Sequence, residues 1–364
     1  MTEKKRRFAV LTGGGDCPGL NAVINAVVKT FLQNGCEIYG VPNGFNGLVN
    51  GQLIPMDYSS VSGILPRGGT ILGTTNRDNP FKFAVEENGE LVYHDMRDRV
   101  VENLQKYDIE ALVVIGGDGS LNIGAKLARE CGVKVVGVPK TIDNDLPCTE
   151  RTFGFDTAMA MATEAVDRLH TTAESHHRVM ALEVMGRYAG WIALHSGIAG
   201  GADVILIPEI PYNIDSVINK IYERKAAGKN FSIVVVAEGS KPIGGEMTVA
   251  RRVKGSFEPI RLGGVGEKLV REIEEKTGIE SRCTVLGYLQ RGGSPTPFDR
   301  VLSTRYGVAA AEACLRGEYN VMVSLFHDKI VTVYIQKAAS APRSVPVDSE
   351  IINTGRQIGI CFGD

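Results

Sequence analysis

The chain has 364 residues, of which 43% are hydrophobic and 23% are charged, and its formal net charge is −2. This length is enough for a large core and predicts two domains, while the charge gives no basic excess of the kind that nucleic-acid-binding proteins carry. The seven cysteines are scattered and include no CxxC pair, which argues against a zinc site or a disulfide framework and predicts a cytoplasmic protein. No apolar stretch reaches the ~18 residues of a membrane span.

Short apolar runs alternate along the chain with longer segments of helical period. Runs at residues 8–12, 111–117, 133–139 and 178–186 each lead into such a segment, and three later runs read ADVILIPE, FSIVVVAEG and RCTVLGYLQ. This alternation predicts an α/β fold of parallel sheets with helices on both faces. Ligands bind such folds at the carboxyl ends of the strands, and each polar cluster described below lies at such an end.

TGGGDCPG, residues 12–19, follows the first apolar run and opens a helical segment. Its three glycines would let backbone amides approach a phosphate, and the helix N-terminus adds partial positive charge. Pro18 departs from the dinucleotide-binding fingerprint, which disfavours a hydride-transfer enzyme. A plain strand-to-helix turn explains this segment about as well as a phosphate site does.

GGDGS, residues 116–120, repeats the arrangement after another strand and places Asp118 inside the glycine turn. A carboxylate beside phosphate-binding amides would repel the ligand unless a cation lay between them, and Mg²⁺ is the natural bridge. The alternative is an aspartate that caps the next helix. Two glycine-rich turns after two strands favour the phosphate site.

PKTIDND, residues 139–145, leaves the apolar run VKVVGV and at once presents polar side chains. If the segment stays extended, alternation places Asp143 and Asp145 on the same side. Aspartate and asparagine are also ordinary turn formers, so the segment by itself decides nothing. Beside a phosphate site, Asp143 would take a proton from an acceptor hydroxyl and Thr141 would hydrogen-bond the transferred phosphoryl group.

Arginines lie at strand ends or glycine turns in several places. A single arginine is most often a solvated surface charge, but several at such positions suggest phosphorylated ligands. They are Arg77, Arg178, Arg187, Arg282 and Arg291. A glycine cradle, a carboxylate for Mg²⁺, further carboxylates and arginines are the parts that phosphoryl transfer needs.

Taken together, these motifs resemble the phosphofructokinases. The resemblance rests on GGGDCPGLNAVI, RGGTILGTTNR, VVIGGDGS, PKTIDND, MGRYAGWIAL, AEGS and GYLQRGGSPTPFDR, which occur in this order between about residue 8 and about residue 310. PKTIDND, MGR and QRGGSP are highly specific in combination, whereas NAD kinases and lipid kinases also resemble GGDG. The resemblance implies two parallel-sheet α/β domains with the active site in the cleft. It also implies ATP- and Mg²⁺-dependent conversion of fructose 6-phosphate to fructose 1,6-bisphosphate, a step of glycolysis.

The resemblance further implies a role for each residue that matches a family motif. Asp143 is the expected base for the sugar 1-hydroxyl, and Asp118 is the expected Mg²⁺ ligand. The further catalytic residues are expected to be Thr141, Asp145 and Arg187. The donor site is expected to comprise Gly14, Gly15, Arg77, Gly117, Asp118, Gly119, Ser120 and Lys140. The sugar-phosphate site is expected to comprise Thr141, Asp143, Met185, Gly186, Arg187, Glu238, Tyr288 and Arg291. The best-known bacterial members carry histidine at position 288, where tyrosine can still donate one hydrogen bond.

Arg178 and Arg282 match family arginines that reach into a neighbouring subunit's site. The resemblance therefore implies a homodimer or homotetramer with shared active sites, and a chain that crosses between the domains more than once. The donor-binding domain is expected to comprise residues 1–154 and about 289–340, and the sugar-phosphate-binding domain about 155–288 and 341–364. No motif was recognised after about residue 340.

Two residues give conflicting indications of the phosphoryl donor. Pyrophosphate-using relatives typically carry a second aspartate where this chain has Gly119, and that side chain would occupy the space of the α-phosphate of ATP. The same relatives carry lysine where this chain has Lys140. We rank the open space above the lysine and predict ATP, with a pyrophosphate-dependent enzyme as the alternative. A non-catalytic nucleotide-binding protein is disfavoured because Asp118, Asp143 and Arg187 are all present.

Allosteric bacterial members of the family bind a nucleotide or phosphoenolpyruvate effector through arginines. The matching positions in this chain are Asn25, Tyr58 and His170, and Lys29 keeps one positive charge. Loss of fixed cations should weaken an anion site greatly. The sequence therefore predicts weak or absent control by such effectors.

Overall fold

The computed structural model describes residues 4–87, 89–252, 260–338 and 341–364. The strands are β1 (Arg7–Thr12), β2 (Glu37–Val41), β3 (Ile54–Met56), β4 (Phe83–Glu87), β5 (Glu90–His94), β6 (Ala111–Gly116), β7 (Val135–Pro139), β8 (Val179–Val184), β9 (Val204–Leu206), β10 (Ser232–Ala237), β11 (Val249–Arg252), β12 (Ile260–Leu262), β13 (Ser281–Val285), β14 (Val321–Phe326) and β15 (Lys329–Tyr334). The helices are α1 (Leu20–Gln33), α2 (Phe45–Val49), α3 (Arg97–Lys106), α4 (Asp118–Cys131), α5 (Phe155–His176), α6 (Trp191–Ala199), α7 (Ile214–Ala226), α8 (Val265–Thr277), α9 (Pro297–Arg316), α10 (Ile335–Ala338) and α11 (Glu350–Gln357), with a 3₁₀ turn at Gly287–Arg291.

The larger sheet has the strand order β15-β14-β7-β6-β1-β2-β3. Its inner pairs are parallel, while β3 and β15 run antiparallel to their neighbours at the two edges. Phe8 and Val10 of β1 pack into the core with α1 and α9, whereas Ala9 and Leu11 pack into the core with α3 and α4. A strand that is buried on both faces reads as a continuous apolar run, which explains why β1 and β6 were recognisable from sequence.

The smaller sheet has the order β13-β8-β10-β9 and is parallel throughout. Every residue of β8 and β10 is buried. The C-terminal residues pack on this sheet: the Ile205 amide donates to the Cys361 carbonyl at 2.9 Å, and the Asn213 amide donates to the Gly363 carbonyl at 2.7 Å. The final segment, which carried no recognisable motif, is therefore folded against the smaller sheet.

The predicted α/β fold with parallel sheets is confirmed, and the antiparallel edge strands are an addition to it. One hydrophobic cluster runs from α1 and α9 to α5 and α6, and so joins the two sheets. The predicted domain boundary near residue 340 falls at residues 339 and 340, which lie outside the described residues. The division into two domains at the stated ranges therefore stays a prediction.

The described part of the chain contains no helix long and apolar enough to cross a membrane. All seven cysteines fall within the described residues and are free thiols.

Candidate functional site

Strand pairing brings three polar segments to one edge of the larger sheet. Thr12 is paired with Ile115, and Gly116 is paired with Pro139, so β1, β6 and β7 end side by side. The two glycine-rich turns and residues 140–145 follow these strand ends directly. The predicted donor site and the predicted catalytic segment therefore share one edge.

The glycine turn after β1 is held in place by the neighbouring loop at residues 70–77. The Gly14 amide donates to the Thr75 carbonyl at 3.1 Å, and Thr74 Oγ1 donates to the Gly14 carbonyl at 2.7 Å. Gly14 has a φ of +79°, which only glycine adopts readily. Arg77 is exposed, and its amide donates to Thr75 Oγ1. It thus emerges beside this turn, where the predicted donor would lie.

Ser120 packs the two glycine turns against each other. A Cβ at Gly13 would lie 2.5 Å from Ser120 Oγ, and one at Gly116 would lie 2.3 Å from Ser120 Cβ. Both positions therefore have room only for glycine. Asp118 is the first residue of α4, with Gly117 at the N-cap. The helix N-terminus consequently opens at the glycine turns, where it would attract an anionic ligand.

Gly119 faces open space at the start of α4. Among the described residues, no atom lies within 4 Å of a Cβ built at this position. Its φ is not in the left-handed region, so a side chain would fit without backbone strain. The space in front of α4 is therefore available to a bound molecule.

Lys140 is only 4% exposed and lies beneath both glycine turns. Its Nζ is 3.4 Å from the Cβ position of Gly14 and 4.0 Å from that of Gly117. Burial lowers the pKa of the Lys140 ammonium, and the nearby Asp118 and Asp143 carboxylates oppose this effect. The lysine is therefore placed to meet a phosphate from below the turns.

The segment after β7 turns sharply, which corrects the assumption that it stays extended. Asn144 has a φ of +51°, and its Oδ1 accepts from the Thr152 amide at 3.0 Å. Thr152 Oγ1 donates to the Thr141 carbonyl at 2.7 Å, and the Asp143 amide donates to Thr141 Oγ1 at 3.1 Å. The alternation argument for Asp143 and Asp145 therefore does not apply, because a left-handed residue separates them.

Three carboxylates nevertheless lie near one another. Burial raises the pKa of the Asp145 carboxyl to about 7, and the negative charges of Asp143 and Asp118 act in the same direction. A divalent cation among these groups would relieve their repulsion. Within the described residues, no three potential ligands are grouped closely enough to hold a metal by themselves. Oxygens of a bound phosphate would therefore have to complete the coordination.

The loop after β8 carries the predicted sugar-phosphate residues of the smaller sheet, Met185, Gly186 and Arg187. It runs beside the end of β10, where the Glu238 amide donates to the Val184 carbonyl at 2.9 Å and the Gly239 amide donates to the Gly186 carbonyl at 3.1 Å. Gly186 has a φ of +141°, so the backbone turn requires glycine.

The pKa of Glu238 responds to charged groups from both sheet edges. Burial raises the pKa of its carboxyl to about 7, and the negative charges of Asp143 and Glu183 add to the shift. The positive charges of Arg291 and Arg187 oppose it. Asp143 follows the larger sheet and Glu238 follows the smaller one, so charges from both sheet edges act on one carboxyl.

The 3₁₀ turn after β13 closes one side of this cleft. Arg291 Nη1 donates to the Asp16 carbonyl at 3.2 Å, which places this predicted sugar-phosphate residue against the first glycine turn. Tyr288 is 70% exposed and makes its surface available to a ligand or a second chain. Gln290 was not predicted; it is fully buried, and its Oε1 accepts from the Met185 amide at 3.3 Å. Gln290 belongs to the recognised motif QRGGSP, and this position in the motif could have identified it as a site residue.

Arg178 and Arg282 do not join the site of their own chain. Arg178 Nε and Arg282 Nη2 both donate to the carboxylate of Glu280, at 2.6 and 2.5 Å. Arg178 precedes β8 and Met185 follows it, so roughly 20 Å of strand separates them. The two arginines thus form a cationic pair at the opposite end of the smaller sheet.

Three positions matched to effector-binding arginines carry neither arginine nor lysine. Asn25 is buried, and its Nδ2 donates to the Val61 carbonyl at 2.7 Å. His170 Nε2 lies 2.7 Å from the Gly200 carbonyl oxygen. Tyr58 is half exposed. Two of the three side chains are therefore committed to the fold itself.

Comparison with known proteins shows what this chain resembles. The phosphofructokinase family model matches residues 7–314. An ATP-dependent 6-phosphofructokinase 2 of Clostridium perfringens is 53% identical, with all of both chains covered. A pyrophosphate–fructose 6-phosphate 1-phosphotransferase of Amycolatopsis mediterranei is 50% identical over 94% of this chain and 97% of that protein. The T-state phosphofructokinase of Pichia pastoris superposes with a TM-score of 0.80 at 32% identity over 93% of this chain. The present chain spans only 36% of that yeast chain.

Proposed function

The chain belongs to the phosphofructokinase family, and from this membership we propose that it transfers the γ-phosphoryl group of ATP to the 1-hydroxyl of fructose 6-phosphate. The observation that carries the proposal is the pairing of two sheet edges across one cleft. One edge supplies the glycine turns, and the other supplies Glu238 and the loop that ends in Arg187. The product is fructose 1,6-bisphosphate.

In this proposal, Asp143 accepts the proton of the sugar 1-hydroxyl as that oxygen attacks the phosphoryl group. Thr141 donates a hydrogen bond to the group in transfer, and Arg187 stabilises its negative charge. Glu238 orients the sugar through a hydroxyl. Lys140, almost fully buried beneath the glycine turns, provides positive charge.

The residues present fit a magnesium ion at Asp118, and Asp143 and Asp145 are near enough to interact electrostatically with that ion. The support is the raised pKa of Asp145, which results mainly from burial and to which the negative charges of Asp143 and Asp118 add. When bound, Mg²⁺ neutralises charge on the donor phosphates. The carboxylate of Asp118 at the helix N-terminus would hold the ion, and the chain's own task is to keep that carboxylate in place.

ATP is proposed as the donor because Gly119 leaves open the space in front of α4. Pyrophosphate is the second candidate, since Lys140 Nζ lies directly beneath both glycine turns and would attract a pyrophosphate oxygen equally well. We rank ATP first because a lysine does not exclude a nucleotide, whereas an obstructing carboxylate would.

Arg178 and Arg282 are proposed to serve the sugar-phosphate site of a neighbouring subunit in a homo-oligomer. Their distance from the cleft of their own chain supports this assignment. Glu280 keeps the two guanidinium groups together at the surface, ready for a phosphate presented by a second copy.

The direct test is a coupled assay that detects fructose 1,6-bisphosphate. The purified protein is supplied with fructose 6-phosphate and Mg²⁺, and with either ATP or pyrophosphate at saturation. We expect turnover with ATP that greatly exceeds turnover with pyrophosphate. Faster turnover with pyrophosphate would reverse the donor assignment, and no product with either donor would refute the proposed function.

Glu238→Gln is expected to change both the pH dependence of activity and stability. The raised pKa, about 7, means that Glu238 is ionised at pH 8 and mostly protonated at pH 6. Glutamine mimics the protonated form, so kcat/KM for fructose 6-phosphate should fall by about 10–100-fold at pH 8, the worth of a hydrogen bond to a charged group, and far less at pH 6. A pH profile of kcat/KM measures this effect.

The same substitution should raise the melting temperature at pH 8. A folded-state pKa above the unfolded value favours folding at low pH, and this contribution is lost as pH rises through about 7. Glu312→Gln, at an exposed position on α9, is the matched control and should change neither property. An equal loss of kcat/KM for Glu238→Gln at pH 6 and pH 8 would contradict the expectation.

Weak effector control is expected because Asn25, Tyr58 and His170 stand where arginines bind the effector in allosteric members, and only Lys29 keeps a positive charge. Steady-state velocity is measured against fructose 6-phosphate with and without ADP or phosphoenolpyruvate. The curves should superimpose apart from competition at the donor site. A strong, saturable shift at low effector concentration would show that an effector site exists elsewhere.

A further inference from the structure

The C-terminal segment at residues 341–347 lies against the turn that follows β7. The Arg343 amide donates to the Asp145 carbonyl at 2.7 Å, so the segment is joined to the predicted catalytic stretch itself. Two residues later, Val345 is 1% exposed, and its amide donates to Glu209 Oε1 at 2.7 Å. The segment is thus anchored at two points by backbone hydrogen bonds.

The side chain of Arg343 contacts both the segment that follows β7 and the helix α6. Its Nη1 donates to the carbonyls of Thr149 and Glu150, at 2.7 and 3.1 Å, on the segment that continues from Asp145. Its guanidinium carbon lies 4.6 Å from the ring centroid of Trp191, the first residue of α6. Trp191 Nε1 in turn donates to the Arg343 carbonyl at 3.0 Å.

Glu209 completes the connection on the side of the smaller sheet. Its carboxylate accepts from the Gly190 amide at 3.1 Å as well as from Val345. Gly190 ends the loop that carries Arg187 and leads directly into Trp191. The C-terminal segment is therefore bound at the same time to the stretch that carries the proposed base and to the loop that carries the proposed phosphate-binding arginine.

Several features of its surroundings make Arg343 a poor choice for stability alone. Burial lowers the pKa of its guanidinium, and the positive charge of Arg151 adds to this effect, although Asp145 and Glu150 oppose it. A buried charge beside a like charge contributes little stability compared with an apolar side chain of similar volume. The planar, forked guanidinium does, however, fit two carbonyls and an aromatic face at once, which lysine and methionine do not.

We propose that Arg343 is a positioning residue for phosphoryl transfer, which fixes the distance between Asp143 and Arg187 by holding their two segments together. The inference rests on the function proposed above for these two residues. It goes further, because it gives a segment without any recognised motif a role in catalysis. A displacement of about 1 Å at reacting groups can cost about 10²-fold in rate.

The test compares Arg343→Met and Arg343→Lys with Arg356→Met. Arg356 is a matched control: it also follows residue 340, binds Asp364 and lies 5.3 Å from an aromatic ring centroid, that of Phe362. Arg343→Met should lower kcat by about 10–100-fold, since small displacements are costly, and leave the KM for ATP unchanged. The kcat of Arg343→Lys should lie between that of Arg343→Met and that of the native enzyme. Arg356→Met should keep the native kcat, even if its melting temperature falls as much as that of Arg343→Met.

Trp191→Phe provides an independent measurement. It keeps an aromatic face for Arg343 but removes the indole N–H that binds the Arg343 carbonyl. The double variant with Arg343→Met should lose less kcat than the product of the single losses, because both changes loosen one connection. Multiplicative losses would speak against a shared role.

The outcomes separate the inference from the proposed function. Activity of the native enzyme together with kcat of folded Arg343→Met within about twofold of native would overturn the inference alone. If Arg343→Met does not fold, the test uses Arg343→Lys instead, and a native kcat in that variant would likewise overturn the inference. Absence of turnover in the native protein with both donors would instead refute the proposed function on which the inference rests.

Discussion

Asp143→Asn is expected to lower kcat by about 10²–10⁴-fold, the usual contribution of a general base. The amide keeps the shape of the carboxylate but cannot accept the proton of the sugar 1-hydroxyl. Binding of fructose 6-phosphate should remain close to native, because the other sugar-phosphate residues are unchanged. Measurement of kcat by the coupled assay, together with the dissociation constant of the sugar phosphate by calorimetry, tests both halves of this expectation.

Asp328→Asn is the matched control for Asp143→Asn. Asp328 is exposed and has a φ of +57°, which asparagine tolerates, so this variant should fold and turn over as the native enzyme does. Asp143→Asn should also remain folded, because it removes one of the charges that raise the pKa of Glu238. Near-native kcat in a folded Asp143→Asn variant would remove Asp143 from the mechanism.

Gly119→Asp is expected to reduce kcat/KM for ATP by about 10²-fold or more. The side chain would enter the open space in front of α4 and place a negative charge where the proposed α-phosphate lies. A like charge of this kind costs several kcal/mol, and each 1.4 kcal/mol corresponds to a factor of ten. With Lys140 retained, the variant should gain relative preference for pyrophosphate, which has no α-phosphate to displace.

The fold should not be harmed by Gly119→Asp, since an acidic residue in the first turn of a helix is favourable. Gly119→Asn separates the effects of size and charge, and Gly119→Ala shows the effect of a methyl group alone. Parallel kcat/KM values for ATP and pyrophosphate are measured for all three. If Gly119→Asp uses ATP as well as the native enzyme does, the open space at this position does not determine the donor.

The strands of the site were predictable because their signal is local. Runs at 111–117 and 133–139 were predicted, and the structure has strands at Ala111–Gly116 and Val135–Pro139. A strand covered on both faces needs apolar side chains throughout, so it appears in the sequence as an uninterrupted apolar run. The carboxyl-end rule for parallel sheets then placed the polar turns at one edge before any contact was known.

The conformation of PKTIDND was not predictable in the same way. Its course depends on Asn144 in the left-handed region and on hydrogen bonds with Thr152, eight residues farther along the chain. Strand alternation assumes an extended backbone and fails once one residue adopts a positive φ. The burial of Lys140 beneath the glycine turns likewise follows from the packing of three strand ends rather than from its neighbours in sequence.

The sequence by itself determined the type of chemistry, because glycine turns, carboxylates and arginines at strand ends are local features with few alternative uses in combination. The tertiary structure alone decided which of these groups come together: the charge of Asp143 raises the pKa of Glu238, while Arg178 lies at the far end of its sheet, bound to Glu280. It also decided the place of Arg343, whose side chain binds Thr149 at a separation of 194 residues. Such contacts depend on how two sheets pack, and packing between distant segments leaves no periodic or local pattern in the chain.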